Sequence, residues 1–514
     1  MCKLKHFDPQ ANQDPQSFGV YPKSIHKTAD GAYVYMAKQE NGRDTLVTSD
    51  PSLFSQSETF ENDNKTYACA PLSHENAAAL RKLFPFTAPS PVLRNERSVG
   101  VGDRLGIACP GHIRVFEKYD AFPVFAQQSI RELTLTGRTY DNVLDCVTFS
   151  VFRENFTKGF GADGDHLKTA EELEYALGCG YTMITLDCSE HIRNDIGAMS
   201  DEQVNAEYKH NAELEKEYMN QCFLFEGLAL VFDEFSFKRM TLIYNDAIDF
   251  AASIYERFIK GRDDVDFEIS IDETATPTTP LQHFYVVSEL IKRGVKFQTV
   301  APRFCGEFQK GVDYIGDIEQ FRREFEEHAL IAKHFNYKIS VHSGSDKFMV
   351  FPIVGELTNG RFHLKTAGTN WLEAMKLVAM KDASLYREVH AFALSVFEQA
   401  KKYYHVTTDL SRIPALDTLT DAQLPGLFDQ NDARQLIHIT YGIILTEKNA
   451  DGSLRFHDRL YDLWNKYADD YAALLEAHIG RHLELLYSGF HHHGGDCCGQ
   501  HEHNHGGCCG HHKH

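Results

Sequence analysis

Residues 169–187 read Thr-Ala-Glu-Glu-Leu-Glu-Tyr-Ala-Leu-Gly-Cys-Gly-Tyr-Thr-Met-Ile-Thr-Leu-Asp. Thr169 with Glu172 has the form of a capping box, and Gly178-Cys179-Gly180 supplies a stop. The apolar run Tyr181–Asp187 that follows suits a strand buried on both faces. One complete helix-to-strand unit is therefore legible, and the text on either side repeats its style.

Eight short apolar runs alternate with amphipathic helical stretches: Ser98–Cys109, Val143–Ser150, Tyr181–Asp187, Val265–Asp272, Val295–Ala301, Lys338–His342, Arg361–Thr366 and His405–Leu410. Eight parallel strands separated by helices close a barrel more naturally than they extend an open sheet. The expected class is α/β, a (β/α)8 TIM-type barrel over residues 95–489. Residues 1–94 form a small β-containing extension, because Ala32–Met36 and Thr45–Thr48 flank an Asn41-Gly42 hairpin signal. Residues 190–262 are too long for an ordinary connection and are expected as a helical insertion. From Asn370 to Gly489 the composition predicts a helical C-terminal extension.

The bulk numbers exclude several function classes. A 514-residue chain with net charge −21 lacks the basic footprint of a nucleic-acid or anionic-membrane binder, so a small molecule is the expected partner. No apolar signal region opens the chain and no run reaches membrane-spanning length, which predicts a cytoplasmic location. Eight of the twelve cysteines are scattered singly, as in a reducing compartment. Gly100-Val101-Gly102-Asp103-Arg104-Leu105-Gly106 misses the dinucleotide spacing by one residue, and neither a Walker motif nor a nucleophile elbow occurs.

In a barrel of this type the chemistry sits where the strands end. Gly159–Lys168 is a glycine-rich loop in which Asp165 and His166 offer a base and a metal nitrogen side by side. Asp272 and Glu273 close the fourth run; alternation turns only one inward, and Glu273 is favoured as acid/base, with Asp272 a structural partner. Arg303 ends the fifth run and suits a carboxylate. His342 ends the sixth, followed by the small polar loop with Ser345 and Asp346, which fits a metal ligand beside a hydroxyl-rich substrate. On the seventh, His363 and Lys365 share a face, and His363 would complete a metal triad with His166 and His342; Thr366 follows. Arg104, Arg303 and Lys365 favour an acidic substrate, although each could serve an internal ion pair. Together these groups describe isomerase, epimerase or aldolase chemistry.

The runs Ser98–Gly106, Gly159–Lys168, Asp272–Pro277, Val341–Phe348 and His363–Trp371 resemble, in the same order, the bacterial tagaturonate epimerase family, over residues 95–485. The resemblance implies a barrel enzyme interconverting D-tagaturonate and D-fructuronate in hexuronate catabolism with a divalent metal, Zn, Mn, Ni or Co. It also implies Asp165 and Glu273 as the acid/base pair and His166 and His342 as metal ligands. Some relatives act on the neutral ketoses tagatose and fructose. A metal-dependent aldolase or ketose isomerase would use the same residues.

After Gly489 the chain reads FHHHGGDCCGQHEHNHGGCCGHHKH. Residues 490–514 cannot build a core and are expected as a disordered tail able to bind zinc, nickel or copper. A metal-storage role through this tail is the non-enzyme alternative.

Overall fold

The computed structural model describes residues 4–40, 42–62 and 64–491. The His/Cys-rich tail and Asn41 of the expected hairpin lie outside the described residues. Eight parallel strands close a barrel: β1 (Arg97–Gly102), β2 (Phe122–Ser129), β3 (Gly161–Leu167), β4 (Met183–Asp187), β5 (Asp266–Ile271), β6 (Thr299–Pro302), β7 (Lys338–Val341) and β8 (Phe362–Ala367). Each strand pairs with the next, and β8 closes on β1 through Phe362↔Arg97 to Ala367↔Gly102.

Two of the eight expected strands are not strands. Val143–Ser150 lies inside the helix Tyr140–Glu154, whose first turn is capped by the Thr139 hydroxyl accepting from the Asn142 amide. Residues 405–409 are irregular, with Thr407 bonded to Gln309. Their places are taken by β2 and β3. The β3 sequence, Gly-Ala-Asp-Gly-Asp-His-Leu, carries almost no apolar residue and read as a loop. Its glycines answer to packing: a Cβ on Gly161 would lie 2.9 Å from Val92, and one on Gly164 2.9 Å from Leu167.

The stretch 190–262 is helical only in part. Helices Asp201–Glu207 and Ala212–Tyr218 lead into the antiparallel hairpin Gln221–Phe225/Leu228–Phe232, turned at Glu226 and Gly227, both at positive φ. The helix Glu234–Ile254 then returns the chain to β5. The hairpin strands are short, almost wholly apolar runs on either side of Glu226-Gly227, a strand signal that the helical reading passed over.

The N-terminal residues fold into a five-stranded antiparallel sheet in which Tyr33–Lys38 pairs with Asp44–Thr48. Its inner face, with Val34, Met36, Leu46 and Ala70, packs on Phe149 and Phe152 of the helix Tyr140–Glu154. At the other end of the chain, helices including Thr369–Lys381, Ala383–Ala400 and His457–Lys466 share a core around Trp371 and Trp464. The last helix, Ala468–His491, lies across Phe351–Leu357, with Gly355 and Gly489 allowing backbone to approach backbone. No described helix is long and apolar enough to cross a membrane.

Candidate active site

The barrel interior near the strand ends is charged. Lys365 on β8 is 3% exposed and reaches Asp163 at 2.7 Å, Asp165 at 2.6 Å and Glu268 at 3.2 Å, with the Thr185 hydroxyl also in hydrogen-bond range. Burial disfavours the ammonium, but these three carboxylates outweigh it and hold Lys365 well above its ordinary value. Asp163 rises to about 6, chiefly because it is buried and despite Lys365, with Asp165 and Glu268 adding like charge.

Above this layer, His166, Asp272 and His342 bring three possible ligand atoms within 4.8 Å of one another. His342 ends β7. Its Nε2 lies 2.7 Å from Glu268, and its Nδ1 faces Asp272 at 3.2 Å, buried and without a hydrogen bond. His166 follows Asp165 on β3 with φ at 55°. Its Nδ1 is 2.7 Å from Asp165 and its Nε2 is 3.7 Å from Asp272. Each imidazole is thus backed by a carboxylate on one nitrogen and turns the other toward Asp272, the arrangement that orients metal-ligating histidines. Burial opposes charge at Asp272, yet His342 and His166 hold it well below the carboxylate range; both histidines are raised in turn by the acids beside them. Four carboxylates (Asp163, Asp165, Glu268, Asp272) surround Lys365 and the two imidazoles here, so with the imidazoles neutral the cluster has room for added positive charge. The donor set and the unpartnered Nδ1 fit a divalent cation.

The cluster opens into a cavity of about 600 Å³, lined by Asp165, His166, Asp272, Glu273, Arg303, His342, Lys365 and Thr366 among others. A larger cleft, about 1580 Å³, runs between the N-terminal sheet and the barrel flank and holds none of the strand-end groups. Glu273 sits at the rim, 43% exposed at its side chain and 3.8 Å from Lys168. The favoured order of the acidic pair is reversed in one respect: Asp272 joins the histidine cluster.

Four sequence-selected residues fall elsewhere. His363 points into the barrel one layer below, its Nδ1 2.9 Å from the Ser98 hydroxyl, and burial lowers it to about 3; it is not part of the three-ligand cluster. It stands two positions before Lys365 along β8, so the shared face places it deeper rather than beside His342. Arg104 is 1% exposed, paired with Glu132 at 2.8 Å and stacked on Tyr441, and does not line the cavity. Ser345 bonds the Ala367 backbone, and Asp346 turns away to Arg434 and His478.

Sequence reasoning passed over Thr185 and Glu268, which sit within runs read only as strands, and Asp163, which lies in a stretch read as a loop. It also missed Arg131 and Lys310. Both line the cavity with Arg303, and among the described residues none of the three makes an ion pair with a carboxylate. Lys310 lies on the loop after β6, 3.4 Å from the Ser343 hydroxyl. Burial lowers its ammonium; the Glu132 and Asp165 carboxylates oppose this, and Arg104 and Arg131 add to it. Three cations that line one cavity without a carboxylate ion pair are suited to receive an anion.

Comparison with known proteins agrees with this geometry. Residues 21–486 match the tagaturonate epimerase family model. A tagaturonate/fructuronate epimerase of Thermotoga maritima is 40% identical over 478 residues, 92% of this chain and 97% of the relative. The native crystal structure of a fructuronate-tagaturonate epimerase from Cohnella laeviribosi superposes with a TM-score of 0.87 at 49% identity, covering 91% of this chain and 96% of that one. A glycerol complex of the same Cohnella enzyme gives the same values. The chain belongs to the tagaturonate epimerase family and is an isomerase-class enzyme, an epimerase built on a (β/α)8 barrel.

Proposed function

We propose that this cavity interconverts D-tagaturonate and D-fructuronate in hexuronate catabolism, with a divalent metal ion held by His166, Asp272 and His342. The observation that carries the reading is one cavity lined both by the three-ligand cluster and by the cations Arg131, Arg303 and Lys310. The activities for which the Thermotoga and Cohnella relatives are named support it. Zinc, manganese, nickel or cobalt suits imidazole and carboxylate ligands, and such an ion supplies Lewis-acid polarisation of the substrate oxygens beside it.

The two sugar acids differ at the carbon one position beyond the carbon α to the ketone, so enolisation alone does not loosen the bond to be inverted. Retro-aldol cleavage does. A carboxylate takes the proton of the hydroxyl on that carbon, and its bond to the α carbon breaks. The electron pair stays with the ketone fragment as an enediolate, and the hydroxyl carbon becomes an aldehyde. After the aldehyde turns over, the bond re-forms on its other face and the new alkoxide takes back a proton. Asp165 and Glu273, from the ends of different strands, are the acid/base pair, one for each orientation of the hydroxyl. The substrate carboxylate travels on the aldehyde fragment. Lys310, Arg303 and Arg131 therefore hold that fragment by its far end and keep it from escaping while it turns.

Incubating D-fructuronate with the protein in D2O and following the products by NMR tests this. Tagaturonate should appear without deuterium on either carbon of the cleaved bond. Deuterium at the carbon α to the ketone would overturn the retro-aldol route, and absence of tagaturonate would overturn the substrate assignment.

A further inference from the structure

We infer that Asp346, His478 and His482 form a second divalent-metal site, distinct from the sugar cavity, that staples the C-terminal helix to the loop following β7. Among the described residues only this group and the strand-end cluster gather three ligand atoms within 4.8 Å. His478 and His482 stand one turn apart on Ala468–His491, on the same helix face, the spacing by which a helix presents two imidazoles to one ion. Asp346 approaches from the loop 343–347, with its backbone at a φ of 61°.

Each ligand has its outer atom held. Asp346 Oδ2 accepts from Arg434 Nη2 at 2.8 Å. His478 Nδ1 lies 3.3 Å from Glu373 Oε1, and His482 Nδ1 donates to the His478 carbonyl at 2.8 Å. The remaining atoms, Asp346 Oδ1 and the two Nε2 nitrogens, therefore face one another. Carboxylate or carbonyl support on the far nitrogen of each imidazole is the outer-shell pattern of metal-binding histidines.

The inner atoms are poorly satisfied without an ion. Asp346 is 3% exposed, yet its Oδ1 has no hydrogen bond, and neither has His478 Nε2, although the two lie 2.6 Å apart. His482 Nε2 is 3.9 Å from Asp346 Oδ1 and accepts the Asp346 amide at 3.1 Å, a bond that a cation would replace. Phe348 and Phe351 pack against the His482 ring and close the inner side, while His478 remains partly open to solvent. Two imidazoles and one carboxylate select a borderline ion of the zinc class over magnesium or calcium. The competing arrangement is a protonated His478 bridging Asp346 and Glu373.

The site shares no residue with the proposed sugar chemistry and stands or falls separately. Full-length protein is stripped with chelator, reloaded with Zn2+, desalted and assayed for bound zinc beside His478→Gln and His482→Gln, with circular dichroism to confirm folding. Each folded variant should hold one zinc per chain fewer than wild type; the His/Cys-rich tail is common to all and cancels. Anomalous diffraction at the zinc edge from wild-type crystals should place a peak about 2.0–2.2 Å from Asp346 Oδ1 and both Nε2 atoms. Equal zinc in folded variants, or no peak between these three side chains, overturns the proposal and leaves His478 as the proton bridge.

Discussion

Replacing Lys310 by Met removes a positive charge that has no carboxylate partner among the described residues. In the free protein burial pushes the Lys310 ammonium down, with Glu132 and Asp165 opposing and Arg104 and Arg131 adding to the effect. The substitution removes a desolvated charge whose attractions and repulsions oppose one another, and it breaks no ion pair, so stability should not fall. In the Michaelis complex the same lysine meets the sugar carboxylate. A hydrogen bond to a charged group contributes roughly 1.5–3 kcal/mol, and 1.4 kcal/mol is about tenfold, so kcat/KM for D-fructuronate should drop by about 10- to 150-fold. The control is binding of D-fructose, which keeps the ketone and hydroxyls but lacks the carboxylate; its competitive Ki should hold within about threefold if the remaining contacts persist. The assay is initial-rate epimerisation by NMR or coupled reduction, with thermal unfolding of both proteins. Equal losses for acid and neutral sugar, or an unchanged kcat/KM for D-fructuronate, would refute the placing of the carboxylate on this wall.

Asp272→Asn should weaken reactivation of chelator-treated enzyme by metal at least as much as the roughly 10- to 100-fold of an outer-shell change, whereas His363→Gln should leave the reactivation curve in place; the reverse order would restore His363 as the third ligand. Burial pushes Lys338 down from 10.5 to about 7. Between those values the unfolded chain binds a proton that the folded protein does not, so stability rises with pH across that window, by up to about 5 kcal/mol. Lys338→Met should flatten the urea-midpoint profile between pH 7 and 10, and parallel profiles would contradict it. Gly355→Ala ordinarily favours a helix by about 1 kcal/mol, but here the new Cβ would lie 1.9 Å from the Leu486 carbonyl oxygen. Overpacking at about 1–3 kcal/mol should win, and the melting temperature should fall.

The parts of the fold that were legible in sequence are those whose strands keep an apolar residue at every second position. Met183–Asp187, Asp266–Ile271 and Lys338–Val341 run between clear helical neighbours, and all lie within expected strands. β3 failed the same reading because its inward side chains are Asp163 and Asp165, whose burial is made tolerable by Lys365, some 200 residues away. A local pattern holds no trace of that partner. Val143–Ser150 misled for the opposite reason: a helix pressed between the N-terminal sheet and the barrel is apolar on two sides, so its period blurs.

The site followed a similar division. Asp165, His166, Glu273, Arg303, His342, Lys365 and Thr366 were marked by standing near strand ends, and the structure brings them to one cavity. The choice between Asp272 and Glu273 could not come from alternation alone, because both lie beyond the last residue of β5, where the strand period has ended. Ser345 and Asp346 sat in the right loop and faced the wrong way, since the positive φ of Ser343 and Asp346 turns that loop back toward the C-terminal helix. Lys310 and Arg131 left no signal; a lone cation in a long loop becomes informative only when its missing partner is known.

The most direct measurement is turnover of D-fructuronate and, separately, D-fructose by the metal-supplied full-length protein, followed by NMR with and without chelator. The account predicts chelator-sensitive formation of D-tagaturonate and much slower change of the neutral sugar. Preference for fructose would contradict the carboxylate wall, and no turnover of either sugar with zinc, manganese, nickel or cobalt would contradict the proposed reaction itself.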